Sequence, residues 1–571
     1  MARFLVTGAL PYSNGRLHVG HIGGAYLPAD IYVRYLRACG HDVRFICGSD
    51  DNGVAIPITA LKEHSTPQEI CLRYNRRQQA DFEGLGIRFD IYGGTHHPDF
   101  VQMHERISQH FFKAIYEAGY FTKKTTKQLY DEQADKFLPD RYVKGTCHHC
   151  GHPDAFGDQC EQCGAATDPL LLINPVSMIT GSKPVVRETT HWYMKLDRLE
   201  DRLREWLESK RDPVAAGAHW RETVLNFSLG QVKAGLPERA MTRDLDWGVP
   251  VPLDDPDAAG KVLYVWFDAP IGYVSFTARH CEQIGETWEA YERWWKDPDC
   301  KIVHFIGEDN TIFHALTWPA MMMAEGSYQL PHNVVANAFI NIKFPGKEEE
   351  KISKSRGTAI WIEEYLKMLD PDPLRYYLTA IAPEAQRTTF DIDEFVQRNN
   401  SELIANLGNF FNRWQKIITQ DFGRKVPEPD ESAMTEGDRE VLAGTVGGQK
   451  VEALVGRCLD ECRFKDGLRH LMEFGQVCNK WINDAEPWKT RKEDMARTAL
   501  TMYVCVQASY RLATVMYPFM PFAASEALRM VGADPEAVCW DQADTPVAAG
   551  TTLAPLDMLF RKLDPEQVFQ A

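Results

Sequence analysis

Residues 3–21 read RFLVTGALPYSNGRLHVGH, and the architecture follows from them. RFLVTGAL is a continuous apolar run of strand length, and PYSNGR is a turn-rich loop. Beyond it, Ile22, Ala25, Tyr26, Ala29, Ile31, Tyr32, Tyr35 and Leu36 form a helical stretch. DVRFICGSDDNG (42–53) is a second short apolar strand ending in a Gly/Asp loop. Strand, loop, helix, strand at this spacing opens a parallel α/β sheet. KVLYVWFDAPIGY (261–273) and KIVHFIGEDNTIFH (301–314) read in the same style, so the sheet is expected to be split by the segment between. NVVANAFI (333–340) reads as a further strand.

At 571 residues the chain is too long for one domain; roughly three to five units are expected. Its 44% apolar and 25% charged content is that of an ordinary globular protein. The N-terminal apolar run stops at a turn, so it is a strand and not a signal peptide. No uncharged apolar stretch reaches the ~20 residues of a membrane span. Four of the 14 cysteines are packed into 147–163 and the rest are scattered, which suits reduced thiols and a cytoplasmic protein. A net charge of −17 argues against indiscriminate binding to DNA or RNA, while leaving room for a local basic groove.

From about residue 395 the pattern turns helical. Leu403, Ile404, Leu407, Phe410, Phe411, Trp414, Ile417 and Ile418 keep i, i+3/i+4 spacing, as do Phe464, Leu468, Leu471, Met472, Cys478, Trp481 and Ile482. A further helix follows at 497–517, and together these predict a bundle. FGRKVPEPDESAMTEG (422–437) reads as a loose connection.

Three segments carry chemistry. His18-Val-Gly-His21 sits where the first helix begins, and a helix N-terminus offers free N–H groups to a phosphate. Its two imidazoles can donate to charge developing there, and Gly20 leaves room for a nucleotide. No Walker-type GxxxxGK[ST] exists. Lys351-Ile-Ser-Lys354-Ser-Arg-Gly is the second segment: two lysines on a Ser/Gly loop can neutralise a leaving pyrophosphate. Alone, each segment reads as a solvated loop; in this order and flanking an α/β sheet they become specific. The third is Cys147-x2-Cys150-x9-Cys160-x2-Cys163, with Gly151 and Gly164 after the pairs. Four thiolates in two short loops match tetrahedral zinc, and four sulfurs leave no open position, so one structural ion is expected. His148, His149 and His152 are alternative donors.

The first two segments resemble the HIGH and KMSKS signatures of the class I aminoacyl-tRNA synthetases, departing only at Val19 and Ile352. Within that class the chain is similar to the methionyl-tRNA synthetase family along essentially its whole length, through GALPYSNGRLHVGH, FICGSDD, FLPDRYVKGTC, TRDLDWGVP, YVWFDAPIGY, HFIGEDN and LRYYLTA. The resemblance implies an α/β, Rossmann-type parallel-sheet catalytic domain split by a zinc-containing insertion, followed by an α-helical bundle that binds the anticodon. The expected boundaries are 1–115 and 251–330 for the catalytic halves and 116–250 for the insertion. Residues 331–394 form the stem-contact region with the KISKS loop, 395–535 the bundle and 536–571 a C-terminal return segment.

Carried over by the resemblance, the catalytic residues are His18, His21, Lys351 and Lys354, and ATP falls to His18, Gly20, His21, Arg243, Gly307, Asp309 and Lys354. The methionine pocket falls on Leu10, Tyr12, Asp50, Trp266, Ala269, Pro270, Tyr273, His314 and Trp318. A thioether is at ease against aromatic rings, and an anionic Asp50 suits the substrate ammonium. Asn409, Arg413, Pro487 and Trp488 would read the anticodon, a single-stranded base stacking on the tryptophan. Magnesium is expected with ATP. Methionine, ATP and methionine tRNA are the expected partners, with neither DNA nor a membrane, and a monomer is expected. Two positions depart from the family: Asn52, where His is frequent, and Glu308, where Lys is usual and an acid would repel a triphosphate. Synthetases for leucine, isoleucine or valine would need a longer insertion than 116–250, and one for cysteine would hold zinc at its amino-acid pocket. A non-catalytic RNA-binding protein has no use for intact His18, His21, Lys351 and Lys354.

Overall fold

Five strands pair in parallel: β1 (Arg3–Gly8), β2 (Asp42–Ser49), β3 (Ile91–Gly94), β4 (Cys300–Gly307) and β5 (Asn333–Asn337). The computed structural model describes all residues except 158–159, 161, 164, 166, 353–356, 556 and 565–571, and the side chain of Asp140. The strand order is β5-β4-β1-β2-β3, with Arg3 opposite Cys300 on one side of β1 and Asp42 on the other. Leu5, Val6, Phe45, Ile46, Val303 and Phe305 are buried, as strands covered on both faces require. The chain winds outward from β1 through β2 to β3, then returns to the other side for β4 and β5. This reversal opens a crevice at the carboxyl ends of β1 and β4, where open α/β sheets bind ligands.

The sheet, the cysteine-bearing insertion and the helical bundle are as the sequence predicts. One strand assignment is corrected: KVLYVWFDAPIGY contributes only Val262–Leu263 to a two-stranded antiparallel ladder with Thr242–Arg243, and Val265–Gln283 is a helix. That helix is buried on nearly every side, so its sequence carries no amphipathic period to distinguish it from a buried strand. It lies close against the sheet because Gly48 and Gly93 have no side chain; a Cβ on either would meet the Phe276 ring at 2.5 Å. β3, only four residues long and half glycine, escapes the sequence reading.

In the insertion, Phe121–Asp131 pairs antiparallel with Val185–Met194. Between these arms, Val143–Thr146, Ala155–Phe156 and Ile173–Ser177 form the small sheet that carries the cysteines. Its core includes Val143, Cys147 and Cys160 and packs against Val54 and Ile58, next to the loop that ends β2.

The bundle helices include Asn409–Asp421, Phe464–Ala485 and Met495–Met516. They share one continuous core with the face of the sheet covered by the helix Leu27–Ala38. Arg375, wholly buried in the helix Pro371–Ala380, ties these parts together. It donates to Asp30 Oδ2 (2.7 Å) and the Leu85 carbonyl (3.1 Å) in the catalytic half, and to Pro518 and Phe519 carbonyls (3.0 and 2.9 Å) in the bundle. Removing one partner of a buried pair strands the other charge. Arg375→Ala should therefore destabilise the first unfolding transition by about 3–5 kcal/mol in urea titrations. Arg375→Lys should recover little, because an ammonium cannot span the same carbonyls.

Candidate active site

The helix that follows β1 starts at Val19 and is capped by its own histidines. The Gly20 N–H donates to His18 Nδ1 (3.2 Å) and the His18 N–H to His21 Nδ1 (3.1 Å), and the two rings stack at 3.7 Å. Ile22–Tyr26 forms a π-helical turn before the α-helix Leu27–Ala38 begins, and such widened turns recur at functional sites. Gly23 needs its missing side chain here: a Cβ would meet Ile340 Cδ1 at 2.6 Å. The segment before the motif is stitched to residues 360–362, with Val19 N–H donating to the Ile360 carbonyl and Ile362 N–H to that of Leu17, both at 3.1 Å. Ile352 reaches the same place, 3.1 Å from a Cβ built on Gly20. The histidine segment and the start of the lysine segment, Lys351–Ile352, are thus neighbours.

A cavity of about 450 Å³ opens at the carboxyl ends of β1 and β4. It brings together Leu10, Tyr12, Asp50, Trp266, Ala269, Pro270, Tyr273 and His314 with His18, Gly20, His21, Gly307, Asp309 and Lys351. Two expected residues are placed otherwise. Trp318 lies in the wall behind, packed on Phe111 and Trp295, and does not line the cavity. Arg243 also stands outside the lining, with its guanidinium 3.8 Å from the Tyr264 ring centre and bonded to the carbonyls of Ala240 and Thr242. Lys354 lies outside the described residues, as does Gly164 beside the cysteines.

Trp266 stacks on Phe313 (4.0 Å, 12°) and meets Tyr12 edge-on. His314 sits in the second π-helical turn, Phe313–Thr317. Its Nδ1 faces the Asn310 carbonyl (3.2 Å), which only accepts, so Nδ1 carries the proton. Nε2 must then accept from the Tyr273 hydroxyl at 3.0 Å. Burial brings the His314 pKa down to about 4, so the ring is neutral at physiological pH. A polarisable, uncharged surface results.

At the other wall Asp50 is the acidic group. Its carboxylate accepts the Asn52 N–H (3.2 Å) and is otherwise desolvated; burial, then Asp268 and Asp51, raise its pKa well above the usual range. A cation arriving in the cavity would restore its charge. Asn52 organises the layer behind: its Nδ2 donates to Asp268 Oδ2 (2.7 Å) and its Oδ1 accepts from His96 Nδ1 (3.1 Å). His104 approaches the same Asp268 oxygen (3.1 Å). Gln78 holds the 12–15 loop, donating to the carbonyls of Tyr12 (2.9 Å) and Gly15 (3.0 Å) while accepting from Tyr92. Gln78, Phe313, Phe339, His104 and Asp268 escaped the sequence reading. Nothing in their own residue types marks them, although Phe313, Phe339 and Asp268 lie inside quoted stretches.

The four cysteines converge, their sulfurs all within 4.8 Å of one another. Cys147–Cys163 and Cys150–Cys160 separations are 4.0 and 3.7 Å, against an edge of about 3.8 Å for a tetrahedron with 2.3 Å metal–sulfur bonds. The set fits a metal ion. Far away on the bundle, Arg413 donates to Asn483 Oδ1 (2.7 Å) and lies over the Trp488 ring (5.2 Å). Trp488 is 38% exposed, whereas Pro487, the first residue of its helix, is buried.

A Rossmann-type sheet with paired histidines at the first helix and a lysine segment docked beside them defines a class I tRNA synthetase. The chain matches the family described as tRNA synthetases class I (M) over residues 4–415 and the anticodon binding domain of methionyl tRNA ligase over 429–570. The methionine–tRNA ligase of Parabacteroides distasonis is 45% identical over 98% of this chain and 79% of its own length. That of Thermococcus kodakarensis is 42% identical over 100% and 75%. The fold is also that of Mycobacterium tuberculosis methionyl-tRNA synthetase bound by methionyl-adenylate (TM-score 0.77, 24% identity, 98% of this chain and 100% of the other). This chain belongs to the methionine–tRNA ligase family.

Asn52→Ala leaves buried Asp268 short of a donor, while the backbone N–H that Asp50 accepts is kept. It should cost about 1–3 kcal/mol in thermal or urea unfolding. Asn52→Asp, which sets a carboxylate against Asp268, should cost more.

Proposed function

We propose the following division of labour for the activation of methionine by ATP and its transfer to tRNA. The methionine ammonium binds Asp50. The thioether lies among Leu10, Tyr12, Trp266, Ala269, Pro270 and Tyr273, with neutral His314 presenting the Tyr273 hydroxyl; Trp318 supports this wall from behind. ATP lies along His18, Gly20, His21, Gly307 and Asp309, the aspartate taking the ribose hydroxyls. The substrate carboxylate attacks the α-phosphate, forming methionyl-adenylate as the bond to the β-phosphate breaks and pyrophosphate leaves. No protein nucleophile is needed; positioning and electrostatic stabilisation by His18, His21 and Lys351 supply the catalysis. Lys354 joins them by virtue of the sequence motif, and Arg243 acts from the rim. The terminal ribose hydroxyl of tRNA then attacks the adenylate carbonyl and AMP departs. The observation that carries this reading is the single cavity in which the acidic, aromatic and phosphate-facing groups meet.

Cys147, Cys150, Cys160 and Cys163 would hold one zinc ion, whose saturated sulfur shell gives it a structural role. Backbone N–H groups lower the pKa of Cys147 and bring that of Cys160 to about 7, whereas desolvation and the neighbouring sulfurs push Cys150 up to about 12. Magnesium enters with ATP. Asn409, Arg413, Pro487 and Trp488 receive the anticodon, supported by the half-exposed tryptophan and the cation resting on it. The protein works as a monomer in the cytoplasm, a compartment that suits cysteines without disulfides. No helix among the described residues is long and apolar enough to cross a membrane.

ATP–pyrophosphate exchange across the amino acids tests the first step: exchange should require methionine and no other. Asp50→Asn should raise the methionine KM by at least tenfold, since losing one partner of a buried charge pair costs about 2–5 kcal/mol. The raised Asp50 pKa sets the sign of the pH effect. Methionine affinity should fall as pH drops through that pKa, and the Asn variant should lose the dependence.

For the second step, Trp488→Ala should leave exchange unchanged and weaken use of CAU-anticodon tRNA by about 1–3 kcal/mol. Equal discrimination against an altered anticodon in variant and wild type would show that Trp488 only packs.

A further inference from the structure

Glu308 stands just past the end of β4, between Gly307 and Asp309 of the cavity lining and so next to the space assigned to a triphosphate. It is not left uncompensated. Its Oε1 accepts from both Nε (3.3 Å) and Nη2 (3.2 Å) of Arg387. The Arg387 guanidinium also lies 5.4 Å from the centre of the Phe339 ring, and Phe339 lines the cavity. Lys351 Nζ is 5.9 Å from that same ring.

The meeting of two cations on one ring follows from strand pairing. The central strand of a three-stranded sheet is Ile340–Lys343. On one edge runs Glu350–Lys351, antiparallel, with Lys351 opposite Asn341. On the other runs Thr388–Asp391, parallel, with Thr388 opposite Ile340. Arg387 and Lys351 are thus delivered from opposite edges to the same end of the central strand. Glu308 occupies only the Nε/Nη2 side of the guanidinium, and among the described residues Arg387 meets only Glu308 and Phe339. The Nη1 hydrogens remain for an oxyanion, and 65% exposure of the side chain keeps them accessible.

We propose that Arg387 is a phosphate-binding residue of this chain, set in place by Glu308, that contacts the β,γ-phosphates of ATP and the pyrophosphate leaving group alongside Lys351. Glu308 then serves as an anchor for a cation and not as a source of repulsion. The proposal rests on the reading of the cavity as an ATP site, and the test separates the two.

The test is methionine-dependent ATP–pyrophosphate exchange, with ATP, pyrophosphate and methionine each varied. The variants are Arg387→Ala alone, Arg387→Ala with Glu308→Gln, and Arg387→Ala with Glu308→Lys. Melting curves matching wild type are expected for these exposed positions. Arg387→Ala should raise the KM for ATP and for pyrophosphate about tenfold, as loss of a hydrogen bond to a charged group does, with the methionine KM unchanged. The Gln double variant should stay impaired, because removing the acid does not replace the phosphate ligand. The Lys double variant should recover most of the affinity, its ammonium standing in for the lost guanidinium. An Arg387→Ala enzyme with wild-type KM values overturns the proposal. Full recovery in the Gln double variant overturns it too, since Arg387 would then only neutralise Glu308. Wild-type protein that exchanges with no amino acid overturns the ATP-site reading itself, and the proposal with it.

Discussion

The pairing of β1 with β4 is the constraint on which the rest depends. Residues 3–8 find their partners at 300–305, and the buried contact of Thr7 Oγ1 with His304 Nδ1 (2.6 Å) fastens the two strands side by side. Closing so long a loop costs only logarithmically more than closing a short one, so the chain can place a whole cysteine-bearing insertion between the halves. What that closure creates is the switch in winding direction. Ala9 and Leu10 leave the sheet on one side of the crevice, Gly307 and Asp309 on the other, and the cavity lies between them.

Around that crevice, buried polar groups do two different jobs. Arg375 is committed to structure: it makes four hydrogen bonds, to Asp30 and to three carbonyls drawn from both the sheet region and the bundle, and so holds parts together. Asp50 is the opposite. Behind it Asn52 and His104 converge on one oxygen of Asp268, while the charge of Asp50 itself is disfavoured by burial and by neighbouring acids. A low-dielectric site stores that cost until an opposite charge arrives, which makes ammonium binding and carboxylate ionisation one event.

The same economy governs the phosphate end. The histidine-bearing segment contacts residues 360–362 through backbone hydrogen bonds and Ile352 through a glycine that allows close approach. A small sheet then sets Lys351 and Arg387 on either edge of a common strand. Rigid strand pairing, and not the reach of long side chains, brings cations to one place.

Much of this was legible in the sequence. Strands β1, β2, β4 and β5, the bundle helices and the cysteine set announce themselves through local apolar runs, the 3.6-residue period and ligand spacing, all of which act within a few turns of chain. The signature segments were recognisable by order and residue type, and most of the cavity residues followed from resemblance. The tertiary structure alone decided what depends on neighbours distant in sequence. The helix 265–283 is buried on nearly every side, a condition that erases the periodic signal by which a helix is told from a strand. Trp318 backs the pocket and Arg243 rests on Tyr264 because side-chain direction is set by packing. Asn52 and Glu308, which look like defects when read along the chain, find Asp268 and Arg387 only when segments 216 and 79 residues away fold back onto them.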